Sequence, residues 1–513
     1  MVPKMVHFIE MREISKRFGD VQALDNVSIY IDKNEVVGLL GENGAGKTTL
    51  MNILYGLYKA DKGEIFIEGK KVKIRSPKDA LSYKIVMVHQ HFKLIPNFTV
   101  IENILLGSVK GMKLNLKTYE EELSKISREF GLDVDLYEKV RELPVGIRQR
   151  VEILRALFRG ARLLILDEPT TNLTPQEVDV LLSALKRMTK AGLSIVFITH
   201  KVKEAMKVAD RIIVLKAGKL MGVLDGALAS EEKLIELMMG VRDVKPLVLF
   251  SNIDLGSLEP PKEEVLIVEN LKVQGEKGEI VVNNVSFTLR RGEILGVAGV
   301  SGNGQRELVE ALAGIRRPAS GKILINGIEI TGAPPAKIFQ MGVFYIPEDR
   351  IGDGLLPTMS VSENVILGHH NNPPFKRGIL MDWNIVHRTV EKYVKEFKVK
   401  AQNVGIPAGT LSGGNIQKLQ IIRALIREPK IILAHNPTRG LDIATVDMIL
   451  RKFLELRNKG ASILLISEDL DELMSICDRI MVMYKGEVMG IIRRENFDLY
   501  KIGAMMAGMR GAQ

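Results

Sequence analysis

Gly41-Glu42-Asn43-Gly44-Ala45-Gly46-Lys47-Thr48 follows the apolar run Glu35-Val36-Val37-Gly38-Leu39-Leu40. The order reads as strand, glycine loop, helix, which is the context that a G-x-x-x-x-G-K-[ST] phosphate-binding loop requires. The glycines let backbone N–H groups turn inward on a triphosphate, and the following helix offers it a positive N-terminal end. In such a loop Lys47 reaches the β- and γ-phosphates and the Thr48 hydroxyl ligates Mg²⁺. Residues 41–48, with Thr49 after them, are the expected nucleotide-binding set, so this half of the chain is expected to bind ATP.

Working outward, 513 residues are enough for two or more domains, each with its own core. The composition, 46% hydrophobic and 26% charged, is that of an ordinary globular protein. No apolar run approaches the length of a membrane span; stretches such as 163–166 and 463–466 suit buried strands. The N-terminus shows no export signal, and the single cysteine, Cys477, permits neither an internal disulfide nor a cysteine-based metal site. These features predict a cytoplasmic protein. A net charge of +10 could serve nucleic acid or anionic lipid. The lysines are scattered and no nucleic-acid motif accompanies them, so a solvated surface is the favoured reading, with mild attraction to the inner membrane face second.

The chain then repeats itself. Residues 8–31 read as strands interrupted at Lys16-Arg17-Phe18-Gly19, followed by a second strand group at 64–68 and the apolar segment Ile85-Val86-Met87-Val88-His89-Gln90. Residues 99–140 look largely helical, Leu143-Pro144 opens another helix, and strands at 163–166 and 194–198 end at Asp167-Glu168 and Thr199-His200. Residues 241–263, with Pro260-Pro261, read as a linker between domains 1–240 and 264–513. Beyond it the series restarts: Gly41 is echoed by Gly299 and Gln90 by Glu348, both at an offset of 258. Leu143, Asp167 and His200 are echoed by Leu411, His435 and Glu468 at an offset of 268. The ten extra residues are expected near 369–378, an Asn/Pro/Gly-rich, loop-like stretch.

Leu411-Ser412-Gly413-Gly414-Asn415-Ile416-Gln417-Lys418 resembles the signature of ABC-transporter ATPases. The phosphate loop, Gln90, Asp167-Glu168 and His200 stand in that family's order. The resemblance covers nearly the whole chain and is nearest to fused, two-domain ATP-binding subunits of importers for sugars and nucleosides. Residues 169–177, Ile346-Pro347-Glu348-Asp349-Arg350 and Pro437-Thr438-Arg439-Gly440-Leu441-Asp442 point the same way. It implies an α/β fold of two tandem P-loop ATPase domains, each a mixed-sheet core with a helical subdomain, packed head to tail. Each nucleotide would then lie between one domain's phosphate loop and the other's signature, where Ser412, Gly413 and Gly414 at a helix N-terminus suit a γ-phosphate.

The copies are unequal. In the second, Gln305 and Arg306 replace Lys47 and Thr48, His435-Asn436 replaces the acidic pair, Glu468 replaces His200, and no aromatic residue matches Phe18. In the first, only the signature is damaged, Pro144 standing where serine is expected, with neither hydroxyl nor N–H to offer. Under the head-to-tail pairing, both losses fall on one site and the other keeps every part. The resemblance assigns Thr48, Gln90 and Asp167 to Mg²⁺, Glu168 to the attacking water, His200 to the γ-phosphate and Phe18 to adenine. His89, His91, Cys477 and Trp383 read as structural. Whether the second site binds nucleotide, with Arg306 where Mg²⁺ would stand, the sequence leaves open.

The implied partners are two transmembrane permease subunits, met through residues after Gln90 and Glu348, and an extracellular solute-binding protein reached through them. The chain would sit peripherally on the cytoplasmic face of the membrane. His89-Gln90-His91-Phe92-Lys93-Leu94-Ile95-Pro96 looks more like nucleoside than monosaccharide importers. The rival reading is a tandem ATPase acting on ribosomes as a translation factor; such proteins usually keep both sites and carry a long basic linker. A DNA-repair ATPase would be expected to carry zinc cysteines, and a scaffold would have no use for one intact catalytic set.

Overall fold

The computed structural model describes residues 6–90, 92–108, 116–171, 173–240, 263–371, 373–426 and 428–509. The expected linker lies outside them except for Glu263, as do His91 and Asn172. The chain divides into two compact units, Met1–Lys245 and Pro246–Gln513.

In the first unit an antiparallel sheet runs in the order Val21–Ile31, Ile9–Phe18, Lys62–Ile67, Lys70–Val72. The interruption expected at 16–19 shrinks to the turn at Gly19-Asp20. Lys16, Arg17 and Phe18 remain in the ladder, opposite Leu24, Gln22 and Val21. The second sheet has the order Lys219–Asp225, Arg211–Lys216, Val36–Leu40, Ser194–Thr199, Leu163–Asp167, Ile85–Val88. Every pairing in it is parallel except that of Lys219–Asp225 with Arg211–Lys216. Val36–Leu40, Leu163–Asp167 and Ser194–Thr199 are buried at every position, which is why they read as unbroken apolar runs and not as alternating ones.

The helices Val100–Leu105 and Leu116–Phe130 both pack on Val145–Phe158. The first begins with a capping box, the Thr99 hydroxyl accepting from Glu102 N–H while Glu102 accepts from Thr99 N–H. Residues 131–139 are turn and irregular chain, so the helical expectation for 99–140 holds only in part.

The second unit repeats both sheets. The antiparallel one runs Ile280–Arg290, Glu264–Gln274, Ser320–Ile325, Ile328–Glu329; the other runs Val343–Ile346, Ile431–His435, Ser462–Ile466, Ile294–Ala298, Arg479–Tyr484, Glu487–Arg493. Even a largely shielded ion pair recurs. Arg211 Nη2 lies 2.5 Å from Glu35 Oε1, and Arg479 Nε lies 2.5 Å from Glu293 Oε1. Each arginine also donates to a strand carbonyl, Tyr30 O at 2.9 Å and Thr288 O at 2.8 Å. Deleting Arg479 would strand the fully buried Glu293 carboxylate at a cost of about 3–5 kcal/mol.

The extra length is not in one place. The capping box at Thr99 recurs at Ser360, an offset already grown from 258 to 261. The remainder follows the helix Val361–Ile366, and it is not plain loop: Lys376–Arg377 and Leu380–Met381 pair as a small antiparallel hairpin before the helix Trp383–Glu396. Cys477 is fully buried, as expected. Trp383 is not core: at the first turn of its helix it is exposed, because the buried face of that helix is Val386 and Val390.

Candidate functional site

The first unit gathers its polar residues where four neighbouring parallel strands end. The phosphate loop follows Val36–Leu40, His200 follows Ser194–Thr199, Asp167-Glu168 closes Leu163–Asp167, and Gln90 lies just past Ile85–Val88. The carboxyl ends of such strands are where open α/β sheets bind ligands. Gly46 caps the helix Lys47–Leu54 with φ +99°, and a Cβ there would stand 2.7 Å from Ala23 O and 2.8 Å from Leu24 Cδ2. Only glycine fits that turn. No side chain caps this helix, so its first N–H groups are left to a ligand.

Lys47 is buried and folds back on its own loop, Nζ donating to Gly41 O at 2.7 Å and Glu42 O at 2.9 Å. Burial lowers its pKa, opposed by Glu168, Asp167 and Glu42. Thr48 Oγ1 donates to Asp167 Oδ1 at 3.1 Å. Burial pushes the Asp167 carboxyl up to about 6, with neighbouring Glu168 adding to the rise and Thr48 and Lys47 opposing it. Glu168 goes the other way: burial would raise it, but the hydrogen bond and charge of His200, with Lys47 and Lys201, hold it below its ordinary value. Its two oxygens are taken by different partners, His200 Nδ1 at 3.1 Å from Oε1 and Gln90 Nε2 at 3.3 Å from Oε2. Two adjacent carboxyls are thus pushed apart in proton affinity, which marks them for different work.

Glu168 also sits at φ +46°. For a glutamate that backbone costs about 1–3 kcal/mol, the kind of strain that functional sites retain. Phe18, the last residue of its strand, is 41% exposed. Its ring meets Tyr58 edge-on at 5.2 Å, and Lys16 Nζ is 5.3 Å from its centroid. Tyr58 went unnoticed in the sequence because no motif marks it. Ser412, Gly413 and Gly414 belong to the second unit, where Ser412 caps the helix Gly413–Leu425. The Ser412 side chain bonds no backbone N–H of that helix; it is exposed and its Oγ accepts from Asn415 Nδ2 at 2.9 Å. Pro144 stands at the same capping place before Val145–Phe158.

The equivalent strand ends of the second unit are arranged otherwise. Gly304 keeps φ +91° at the start of Gln305–Leu312, so the loop shape survives. Gln305 reaches only Val300 O, at 3.3 Å. Arg306 leans away along its helix to Glu310 Oε1 at 2.7 Å, with Asp353 Oδ2 at 3.6 Å. Glu348, at the Gln90 position, accepts from Asn436 Nδ2 at 3.0 Å and pairs with Arg439. His435 Nε2 is 3.6 Å from Glu348, and burial depresses the imidazole pKa. Asn436 keeps the positive φ of Glu168, +46°, at little cost for an asparagine.

Comparison with known proteins fits this duplicated arrangement. The "ABC transporter" family model matches residues 24–171 and again 282–439, taking in both phosphate loops, Asp167-Glu168 and His435-Asn436. The chain is 41% identical to the nucleoside import ATP-binding protein NupA of Lactococcus lactis subsp. cremoris, covering 98% of each chain. The chain belongs to the ABC transporter family. Within that family it is also 40% identical to the glucose import ATP-binding protein TsgD13 of Haloferax volcanii, covering 98% of this chain and 96% of that one. The guanosine import ATP-binding protein NupO of Bacillus subtilis is 39% identical, with 98% of each chain covered. All three relatives are import subunits, which favours import over the ribosomal reading.

The family implies Mg²⁺ with ATP, and the residues of the first ABC unit fit it. Among the described residues no cluster of three or more His, Cys, Asp or Glu side chains could cage a metal. Mg²⁺ seldom uses such a cage; it takes one or two protein oxygens and fills its shell from water and substrate phosphates. Thr48 and Asp167 offer two adjacent hard oxygens, and the high proton affinity of Asp167 shows a buried carboxylate short of positive charge. The second ABC unit offers an imidazole and an arginine at those places, a poor donor set for Mg²⁺.

Proposed function

We propose that the chain is the ATP-hydrolysing subunit of a membrane importer for nucleosides, built as ATPase domains 1–240 and 264–513 joined by the linker 241–263. One competent ATP site would combine the first-copy phosphate loop with the second-copy signature at Ser412, Gly413 and Gly414. The observation that carries this reading is the convergence of Lys47, Thr48, Asp167, Glu168, Gln90 and His200 in one unit, against its loss residue by residue in the other.

On this reading Lys47 exchanges its two loop carbonyls for the β- and γ-phosphates, and the loop amides from Gly41 to Thr49 hold the rest of the triphosphate. Thr48, Gln90 and Asp167 would hold Mg²⁺, directly or through water. Bound there, the ion neutralises phosphate charge and orients the γ-phosphoryl group. Glu168, kept ionised by His200, orients the attacking water and takes its proton. His200 then turns from Glu168 to the γ-phosphate. Phe18, with Tyr58 behind it, stacks on adenine.

Support for permease docking comes from a duplicated apolar patch. Ile95, Phe98 and Leu106 are exposed just beyond Gln90, and Leu356, Met359 and Leu367 hold the equivalent places beyond Glu348. The backbone beneath each patch is pinned by a buried asparagine. Asn103 accepts from Ile95 N–H at 2.7 Å and donates to Ile95 O at 3.1 Å; Asn364 does the same for Leu356, at 2.8 and 2.9 Å. Two such patches suit two permease subunits and attachment at the cytoplasmic face, with the solute delivered by an extracellular binding protein. Simple sugars are the second reading, favoured by the glucose import relative.

Co-purification tests the proposal. Recovery of two permease chains, and a partner binding protein that retains a nucleoside, would support it; recovery of ribosomes without a permease would overturn it.

A further inference from the structure

The hairpin Lys376–Arg377/Leu380–Met381 of the second unit has no counterpart among the described residues of the first. Its root is fixed: Phe375 is buried, Met381 packs on the core, and Asp382 N–H donates to Phe375 O at 2.9 Å. Its tip is bare. Ile379 is 94% exposed and Leu380 71%, and Trp383, just beyond, is 43% exposed. Beside the root lies a cleft of about 360 Å³ walled by Pro373, Phe375 and Tyr393, with Arg388 and Lys392 on its rim. Those two cations stand one helical turn apart on one face. From 373 to 392 the chain carries four cations, Lys376, Arg377, Arg388 and Lys392, against two carboxylates. One of these, Asp382, is engaged in capping its helix at Ile385 N–H.

We propose that this hairpin and cleft dock on an anionic phospholipid bilayer, the cleft taking a lipid phosphate at Arg388 and Lys392 and the tip entering the interface. An apolar tip with a tryptophan, flanked by cations, is the combination that interfacial membrane segments use. The charge complement is an anionic surface, and cations near such a surface each strengthen binding severalfold. The proposal rests on the membrane-side reading of the chain but not on the permease or the solute, so it is tested with the subunit alone.

The test mixes the purified full-length chain with vesicles of phosphatidylcholine, or of an equal mixture with phosphatidylglycerol. It reads flotation and the emission of Trp383, the chain's single tryptophan. The expected result is flotation and a blue shift with the anionic vesicles only, weakened by salt. Arg388→Gln and Lys392→Gln should each lower the partition coefficient about fivefold. Ile379→Asp should remove the blue shift, and the milder Ile379→Ser should reduce it, both with unchanged nucleotide binding as the control for folding. Equal binding to neutral vesicles, or wild-type partitioning by all four variants, overturns the proposal. So does loss of permease co-purification in Ile379→Ser with vesicle binding unchanged, which would give the tip to a protein partner.

Discussion

Replacing Asp167 by asparagine should separate what the site costs the fold from what it does for the ligand. The Asp167 carboxyl is buried, its one described hydrogen bond comes from Thr48, and the nearest ammonium, Lys47, is turned toward its own loop carbonyls. Its pKa rises from an ordinary 3.8 to about 6. At 1.36 kcal/mol per pKa unit, the ionised group destabilises the nucleotide-free fold by about 2–3 kcal/mol. The folded state binds the proton more tightly than the unfolded state. The penalty is therefore full above about pH 6, shrinks as pH falls toward 3.8 and is gone below it. Asn keeps the volume and can accept from Thr48, so Asp167→Asn should stabilise the empty first unit by about 2 kcal/mol near pH 8, with the gain fading on acidification. Native-state hydrogen exchange at the amides of Leu163–Asp167 reads this locally, without requiring a two-unit chain to unfold in one step. The same variant should lose Mg²⁺-dependent nucleotide affinity. A variant less stable than wild type at pH 8, or a gain that does not change with pH, would refute the reasoning.

Two further outcomes follow from particular contacts. Phe18→Ala should weaken ATP binding by about 1–3 kcal/mol, the worth of one base–aromatic stack, read by fluorescent-nucleotide titration. An unchanged dissociation constant would take Phe18 out of the site. In the second unit Glu472 is buried, accepts from Thr438 and Ser467 on Oε2, has no partner for Oε1 among the described residues and is pushed up to about 7 by burial. Glu472→Gln should therefore stabilise that unit by about 1–3 kcal/mol above pH 7, less as pH falls toward 4.5, in thermal unfolding followed at Trp383.

The candidate site's side chains were legible in the sequence because the phosphate loop and the strand ends are local patterns, each a buried apolar run closed by a polar residue. The repeat, read from two offsets, carried the fold class and the unequal fates of the two copies. What the sequence concealed depends on contacts between distant residues or on backbone angles. Nothing local says that Glu168 and Asn436 share a left-handed backbone, or that Arg306 turns to Glu310 and Asp353. Tyr58 joins Phe18 only because the antiparallel sheet brings the chain back past it. The hairpin at 376–381 escaped notice because two-residue strands show no periodicity.

The central claim, one working site built on the first copy's residues, is tested most directly by steady-state phosphate release from the assembled permease complex. Four variants are compared: Glu168→Gln, Asn436→Gln, Ser412→Ala and Pro144→Ala. Glu168→Gln should retain ATP binding and lose about 10²–10⁴-fold in turnover, the usual worth of a general base. Asn436→Gln removes no proton acceptor and should change little. Ser412→Ala should slow turnover, and Pro144→Ala should barely register. Substantial turnover in Glu168→Gln together with a strong loss in Asn436→Gln would contradict the account and move the working site to the other half of the chain.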